Sequence, residues 1–92
     1  MGPGDHDLRL YVAGTGVKSL RAIRTITLLC ETELAGRYRL EIVDVYRSPM
    51  RAVEDQVVAI PTLIKRAPGT VKRLVGDLSQ EARVRLGLGL AA

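Results

Sequence analysis

Residues 8–14 read LRLYVAG, and this stretch decides how the chain begins to fold. Its leucines and Val12 alternate with Arg9 and Tyr11, which is the period-2 pattern of a half-buried strand. Gly14 follows and loosens the backbone, as is typical at the end of a strand. The sequence therefore opens with a strand that buries one of its faces.

A helix is predicted next, and a second strand after it. Ser19 is suited to cap the helix and Gly36 to stop it. Residues 38–45 are rich in β-forming side chains and predict the second strand. A strand, a helix and a strand in this order form a parallel pair with a right-handed crossover. The helical spacing predicts a buried stripe made of Leu20, Ile23, Ile26 or Thr27, Cys30 and Leu34.

The second half predicts a short helix, a hairpin and a last helix. Pro49 suits the first turn of a helix, and Pro61 opens a strand. Residues 70–75 alternate well enough to form the hairpin partner of that strand. Asp77 is then suited to cap a final helix beginning at residue 78. The stripe predicted for this helix is Leu78, Ala82, Leu86 and Leu90.

This βαβαββα order resembles the thioredoxin-like fold, an α/β class, in a single domain over residues 1–92. The first part, residues 1–7, is expected to be a flexible N-terminus. Redox members of that fold carry Cys-x-x-Cys after the first strand, because a low-pKa thiolate at a helix N-terminus is the nucleophile. Here residues 14–18 read GTGVK and contain no sulfur. The sequence therefore favours a binding role and predicts neither a catalytic residue nor a cofactor.

The C-terminal tail gives two conflicting signals. Residues 84–90 alternate with a strict period of two, which favours a strand. Gly87 and Gly89 each disfavour a helix by about 1 kcal/mol relative to alanine. Such a local conflict is expected of a chain with two nearly equal folds, and a frayed terminal helix is the simpler interpretation.

Composition excludes several other classes of protein. The 92 residues are enough for one modest core, which must rest on aliphatic side chains because Phe and Trp are absent. No apolar run approaches the ~20 residues that a membrane span needs, so a cytoplasmic location is expected. Cys30 and His6 are the only cysteine and histidine, so neither an internal disulfide nor a metal site is predicted.

The net charge of +4 points to an acidic partner. Nucleic acid is not the predicted partner, because the charges are dispersed and few aromatic side chains are present to stack on bases. An acidic face on a partner protein fits this charge better.

Several motifs in one order resemble the KaiB family of circadian clock proteins. In chain order these motifs are LYVAG, S-x-R-A, DV, ED, PTL, GDLS and GL. The resemblance runs from residue 8 to residue 90, and PTL with GDLS at this spacing is its most specific part. It implies a metamorphic protein whose alternative ground-state fold has the order βαββααβ and forms tetramers. The thioredoxin-like form would be a monomer that binds partners.

The resemblance also implies partners and the residues that contact them. A KaiC-type ATPase would be bound by a basic set consisting of Arg21, Lys65, Lys72 and Arg73. KaiA would be a further partner, bound through the edge of the second strand near Glu41, Val43 and Val45, since an unpaired strand edge can extend another sheet.

A hinge between the two folds is implied at Pro61, Gly76 and Asp77. Pro61 would be a cis proline, as in thioredoxin-like folds. The chain departs from the family where His6 and Ala91 replace tyrosines and where an acidic tail is missing. These losses should tilt it toward the thioredoxin-like monomer, and they indicate a divergent paralogue.

Two other functions stay open. A redox or glutathione-type enzyme would need an activated group at the start of the first helix, where Ser19 has no accompanying base. A sensor or adaptor module is the other possibility, because related domains occur in histidine kinases.

Overall fold

The computed structural model describes Gly2 and residues 4–90, and the order of its elements confirms the predicted βαβαββα arrangement. The strands and helices are β1 (His6–Val12), α1 (Val17–Glu33), β2 (Tyr38–Asp44), α2 (Pro49–Glu54), β3 (Thr62–Ala67), β4 (Lys72–Val75) and α3 (Glu81–Gly87).

The four strands form one sheet in the order β2-β1-β3-β4. β1 and β2 are parallel, as the predicted strand-helix-strand unit requires, and Leu10 lies opposite Ile42. β3 runs antiparallel to β1 with Leu63 opposite Leu10, and β4 completes a hairpin with β3. The peptide bond before Pro61 is cis, as the resemblance implied.

Strand alternation divides the core between the two faces of the sheet. On one face, Leu8, Leu10 and Val12 pack with α1 and α3. On the other face, Tyr11 packs in a smaller cluster with Val43 and Ile64, which α2 partly covers. The prediction that β1 buries only one face was therefore wrong, because Tyr11 is fully buried on the second face, which α2 partly covers.

The predicted start of α1 was wrong. The helix begins at Val17 after Gly16, and Ser19 lies inside it as a buried residue. Its hydroxyl oxygen accepts a hydrogen bond from the backbone N–H of Ala13 at 3.0 Å. The predicted stripe was wrong at Leu20, which is 50% exposed, because the face of α1 that packs on the sheet is centred on Ala22 and Ile26. The buried helix residues are Ser19, Ala22, Ile26, Leu29 and Cys30.

The predicted start of the last helix was also wrong. α3 begins at Glu81, and Asp77 instead accepts hydrogen bonds from the backbone N–H and hydroxyl of Ser79, at 2.9 and 2.5 Å. Because the side chain of Asp77 closes this turn, it does not cap the helix. The predicted stripe was wrong as well: Ala82 and Leu86 are exposed and Val84 is buried, because Leu78 lies before α3 and does not set its buried face.

β1 begins within the segment expected to be flexible. His6 is its first residue, and its ring nitrogen Nε2 lies 3.2 Å from the carbonyl oxygen of Leu88. The strand thus contacts the segment that follows α3. Met1 and Pro3, which belong to the expected flexible terminus, and the departure at Ala91 lie outside the described residues.

No helix in the described part of the chain is long and apolar enough to cross a membrane.

Candidate partner-binding site

The four predicted basic residues do not share one surface. Lys72 and Arg73 are consecutive in β4, so their side chains point to opposite faces of the sheet. Lys72 lies opposite Lys65 on the face that carries α1 and α3, whereas Arg73 lies opposite Ile64 on the face that carries α2. The sheet therefore separates Arg73 from the other three residues of the predicted set.

Lys65 was predicted to be a surface contact, but it is only 7% exposed. Its ammonium group donates a hydrogen bond to the carbonyl oxygen of Pro68 in the turn between β3 and β4. A buried ammonium needs such a partner. The accessible position in this cross-strand pair is Lys72.

Lys72 and Arg21 are exposed, and neither has a hydrogen-bond or ion-pair partner among residues 4–90. Arg21 acts at a distance on Asp77. The pKa of Asp77 lies below its ordinary value mainly because of hydrogen bonds from Ser79, with smaller contributions from the charges of Arg21 and Arg83. Two of the predicted cations are therefore available to an acidic partner.

Arg73 is exposed but engaged within the chain. Its Nη1 donates to the carbonyl oxygen of Gln56 at 3.3 Å, and its Nη2 donates to that of Asp55. Both carbonyls lie just beyond α2, whose last residue is Glu54. Arg73 therefore joins an edge strand to the end of a helix.

The predicted strand-edge site lies on β2, which is the outermost strand at its end of the sheet. Within the described residues the outer edge of β2 pairs with no strand. Val43 is buried, Glu41 is in ion pairs, and Val45 is partly buried and lies one residue beyond the end of β2. What this edge offers a partner is its backbone, together with the exposed side chains of Arg39 and Ile42.

The predicted hinge residues lie at two turns. Pro61 directly precedes β3, and Gly76 follows β4 with a φ of 104°, in the region that favours glycine. Asp77 closes the turn that follows. Their role as a hinge stays a prediction.

A polar cluster that was not predicted lies on the face covered by α2. Arg9 donates to Glu41 at 3.0 Å and to Asp55 at 2.8 Å. Arg51 binds Glu41 through both nitrogens, at 2.6 and 2.7 Å. The hydroxyl of Tyr11 lies 2.5 Å from Asp55. The sequence signal was the alternation that places Arg9 and Tyr11 together on the second face of β1, because polar side chains buried on that face need partners.

This cluster shifts the acidities of its members. Hydrogen bonds from Arg51 lower the pKa of Glu41 to about 2, with a further contribution from Arg9. The hydrogen bond from Tyr11, and then the contacts with Arg9, lower the pKa of Asp55. Both carboxyls are therefore ionised at neutral pH and bind α2 to the sheet.

At the start of α1, where redox members of the fold carry a thiol, this chain has Gly16 and Ser19. The loop before α1 ends at Gly16, and the hydroxyl of Ser19 is engaged with a backbone N–H. Cys30 lies far along α1, is fully buried, and has its pKa raised to about 11 by burial, with a smaller contribution from Glu31. No group of three or more His, Cys, Asp or Glu residues in the described part of the chain could hold a metal ion.

Comparison with known proteins identifies the family. A family model described as the KaiB domain matches residues 9–90. The circadian clock oscillator protein KaiB of Acaryochloris marina is 47% identical over 83 residues, which cover 90% of this chain and 80% of that protein. Circadian clock protein KaiB3 of Synechocystis is 42% identical over the same length, covering 90% of this chain and 81% of its own.

Solved structures confirm the fold. The N-terminal domain of Synechococcus elongatus SasA is similar with a TM-score of 0.70 at 24% identity, covering 92% of this chain and 84% of that chain. Mitochondrial thioredoxin 3 from Saccharomyces cerevisiae is similar with a TM-score of 0.75 at 21% identity, covering 94% of this chain and 78% of that chain. These two likenesses show a thioredoxin-like fold, and the match over residues 9–90 shows that the chain belongs to the KaiB family of circadian clock proteins.

Proposed function

We propose that this protein is a non-enzymatic binding module that docks on a KaiC-type ATPase in the cytoplasm and regulates circadian timing or a related stress response. The observation that carries the proposal is the 47% identity to a circadian clock oscillator protein over 90% of the chain. The thioredoxin-like arrangement supports it, because this is the form in which the family resemblance implies partner binding.

The exposed cations support an acidic face on the ATPase as the docking partner. Lys72 lies on an edge strand and Arg21 on the outer side of α1, and both have free charged groups. Opposite charges across an interface mainly raise the association rate and select the partner. The excess of basic residues, +4 overall, acts in the same direction.

We propose the outer edge of β2 as the place where KaiA docks. An extended segment of a partner can pair with the free backbone groups of this edge. On the α1 side of β2, Ile42 is partly exposed and would contact an apolar residue of the added strand. On the α2 side, Arg39 is exposed and would favour an acidic residue there.

The docking proposal is tested by the affinity of the purified chain for a KaiC-type ATPase in ATP and in ADP. Lys72→Glu should weaken binding about tenfold, which corresponds to ~1.4 kcal/mol. Arg37→Glu is the matched control, because Arg37 is exposed and its side chain makes no ion pair in the described part of the chain. Equal affinities of the two variants would remove Lys72 from the interface, and absence of wild-type binding in both nucleotides would refute the proposed function.

A further inference from the structure

We propose that Arg73 is a positioning residue that fastens the β3–β4 hairpin to the end of α2, and that Lys72 beside it is the contact residue. This inference rests on the proposed function in one respect, namely that the hairpin takes part in docking. It assigns different roles to two consecutive basic residues that the sequence alone presents as one pair.

The contacts of Arg73 are those of a helix cap. The last carbonyls of a helix have no partner within the helix and are satisfied by other groups. Arg73 donates to the carbonyl oxygen of Asp55, the C-cap residue of α2, and to that of Gln56, the residue after it. A cation at this position also interacts favourably with the negative end of the helix dipole.

The register explains why Arg73 reaches α2 and Lys72 does not. Arg73 lies opposite Ile64, which packs in the cluster that α2 partly covers. Lys72 lies opposite Lys65 on the other face of the sheet. A side chain at position 72 therefore has no path to the end of α2.

Asp55, at the end of α2, is hydrogen-bonded to a second strand as well. Asp55 receives its side-chain hydrogen bonds from Arg9 and Tyr11 of β1, while its carbonyl receives one from Arg73 of β4. Gln56, the next residue, has a φ of 54°, which non-glycine residues adopt when their surroundings hold them there. Asp55 therefore links the central strand, the edge strand and α2.

Loss of the guanidinium should open this junction locally and leave the rest of the fold in place. The backbone N–H groups there are bonded back into α2, with Asp55 to Arg51 at 3.0 Å, Gln56 to Val53 at 3.0 Å and Val57 to Ala52 at 2.9 Å. Hydrogen exchange at such amides reports local opening. Since Arg73 also anchors β4, the hairpin should move with the junction and present Lys72 less accurately.

The experiment compares Arg73→Gln with Lys72→Gln, using residue-resolved amide exchange by NMR and affinity for a KaiC-type ATPase. We expect Arg73→Gln to speed exchange at Asp55, Gln56 and Val57 about tenfold, a ~1.4 kcal/mol loss of local stability, and to weaken binding. Lys72→Gln should weaken binding and leave exchange at these amides unchanged. Arg73→Lys, which keeps a donor that can reach one carbonyl, should partly restore both readouts together.

Two results would overturn the inference. If Arg73→Gln weakened binding with unchanged exchange, Arg73 would be a direct contact. If exchange rose while affinity stayed at the wild-type value, the junction would have no role in docking. Absence of wild-type binding would refute the proposed function alone, because the exchange measurement needs no partner and decides separately whether Arg73 fastens α2.

Discussion

The hydroxyl oxygen of Tyr11 lies 2.5 Å from a carboxylate oxygen of Asp55, and this contact joins the central strand to the end of the short helix α2. Tyr11 has no exposed surface, and burial, followed by its contact with the Asp55 carboxylate, raises the pKa of its hydroxyl. A neutral tyrosine therefore donates to an ionised carboxylate, and such charge-assisted bonds are stronger than neutral ones.

Removing this hydroxyl should destabilise the fold. We expect Tyr11→Phe to lower the free energy of unfolding by about 1–2 kcal/mol at pH 7, because Asp55 loses one of its donors. Urea denaturation followed by circular dichroism measures this change. Tyr38→Phe is the control, since Tyr38 is partly buried and its hydroxyl makes no hydrogen bond among the described residues. Equal stabilities of the two variants would contradict the assigned role of Tyr11.

Acid should lower the stability of the folded chain through protonation of Glu41. Its pKa is lowered from 4.5 to about 2, so between these pH values the unfolded chain binds more protons than the folded chain. Stability therefore rises with pH in this window, and the contribution of Glu41 is lost as the pH falls toward 2.

Urea midpoints measured from pH 2 to 7 test this assignment. In Glu41→Gln, the urea midpoint should fall less steeply as the pH is lowered toward 2. Glu54→Gln should leave this fall unchanged, because Glu54 is exposed and makes no ion pair in the described part of the chain. If the urea midpoint of Glu41→Gln fell with acid as steeply as that of the wild-type chain, another carboxyl would be responsible for the loss of stability.

Gly87→Ala should destabilise α3 although alanine is the better helix former. An added methyl group would collide with the side chain of Leu74 on β4, and overpacking of this kind costs about 1–3 kcal/mol. Because Gly87 is the last residue of α3, alanine gains less there than the ~1 kcal/mol that it gains in a helix interior, and the collision dominates. A double-mutant cycle with Leu74→Ala measures the coupling, because the smaller residue makes room for the methyl. Additive effects would contradict close packing at this position.

Cys30 should show no thiol–disulfide activity. Its thiol is buried and its pKa is about 11, so very little thiolate is present at neutral pH. A thiol reagent such as DTNB should react slowly with the folded chain and rapidly in urea. Val17→Cys is a positive control, because residue 17 is 64% exposed and starts α1. Turnover of insulin by the wild-type chain that Cys30→Ser abolishes would refute the prediction.

The thioredoxin-like monomer should be the major form in dilute solution. Backbone chemical shifts over residues 62–67 are expected to be those of a strand, and light scattering should give a mass near 10.0 kDa. The family resemblance implies that the alternative fold is helical in this region and tetrameric. Helical shifts there, together with a tetrameric mass, would show that the other form dominates.

The sequence by itself determined the order of the elements. The strand β1, the parallel strand-helix-strand unit and the short helix starting at Pro49 are all confirmed. These features depend on periodicity and local turn chemistry, which neighbouring residues report without knowledge of the rest of the chain. The family was identified in the same way, from motifs in a fixed order.

Only the tertiary structure decided how individual polar side chains are used. Local rules placed a helix cap at Asp77 and the family resemblance implied a surface contact at Lys65, but the carboxyl closes a turn and the ammonium lies buried against Pro68. Arg73 and Tyr11 both reach the end of α2, and neither pairing can be derived from the spacing of residues 17 and 44 positions apart. Such contacts depend on which face of the sheet a residue occupies and on what covers that face, and folding of the whole chain fixes both.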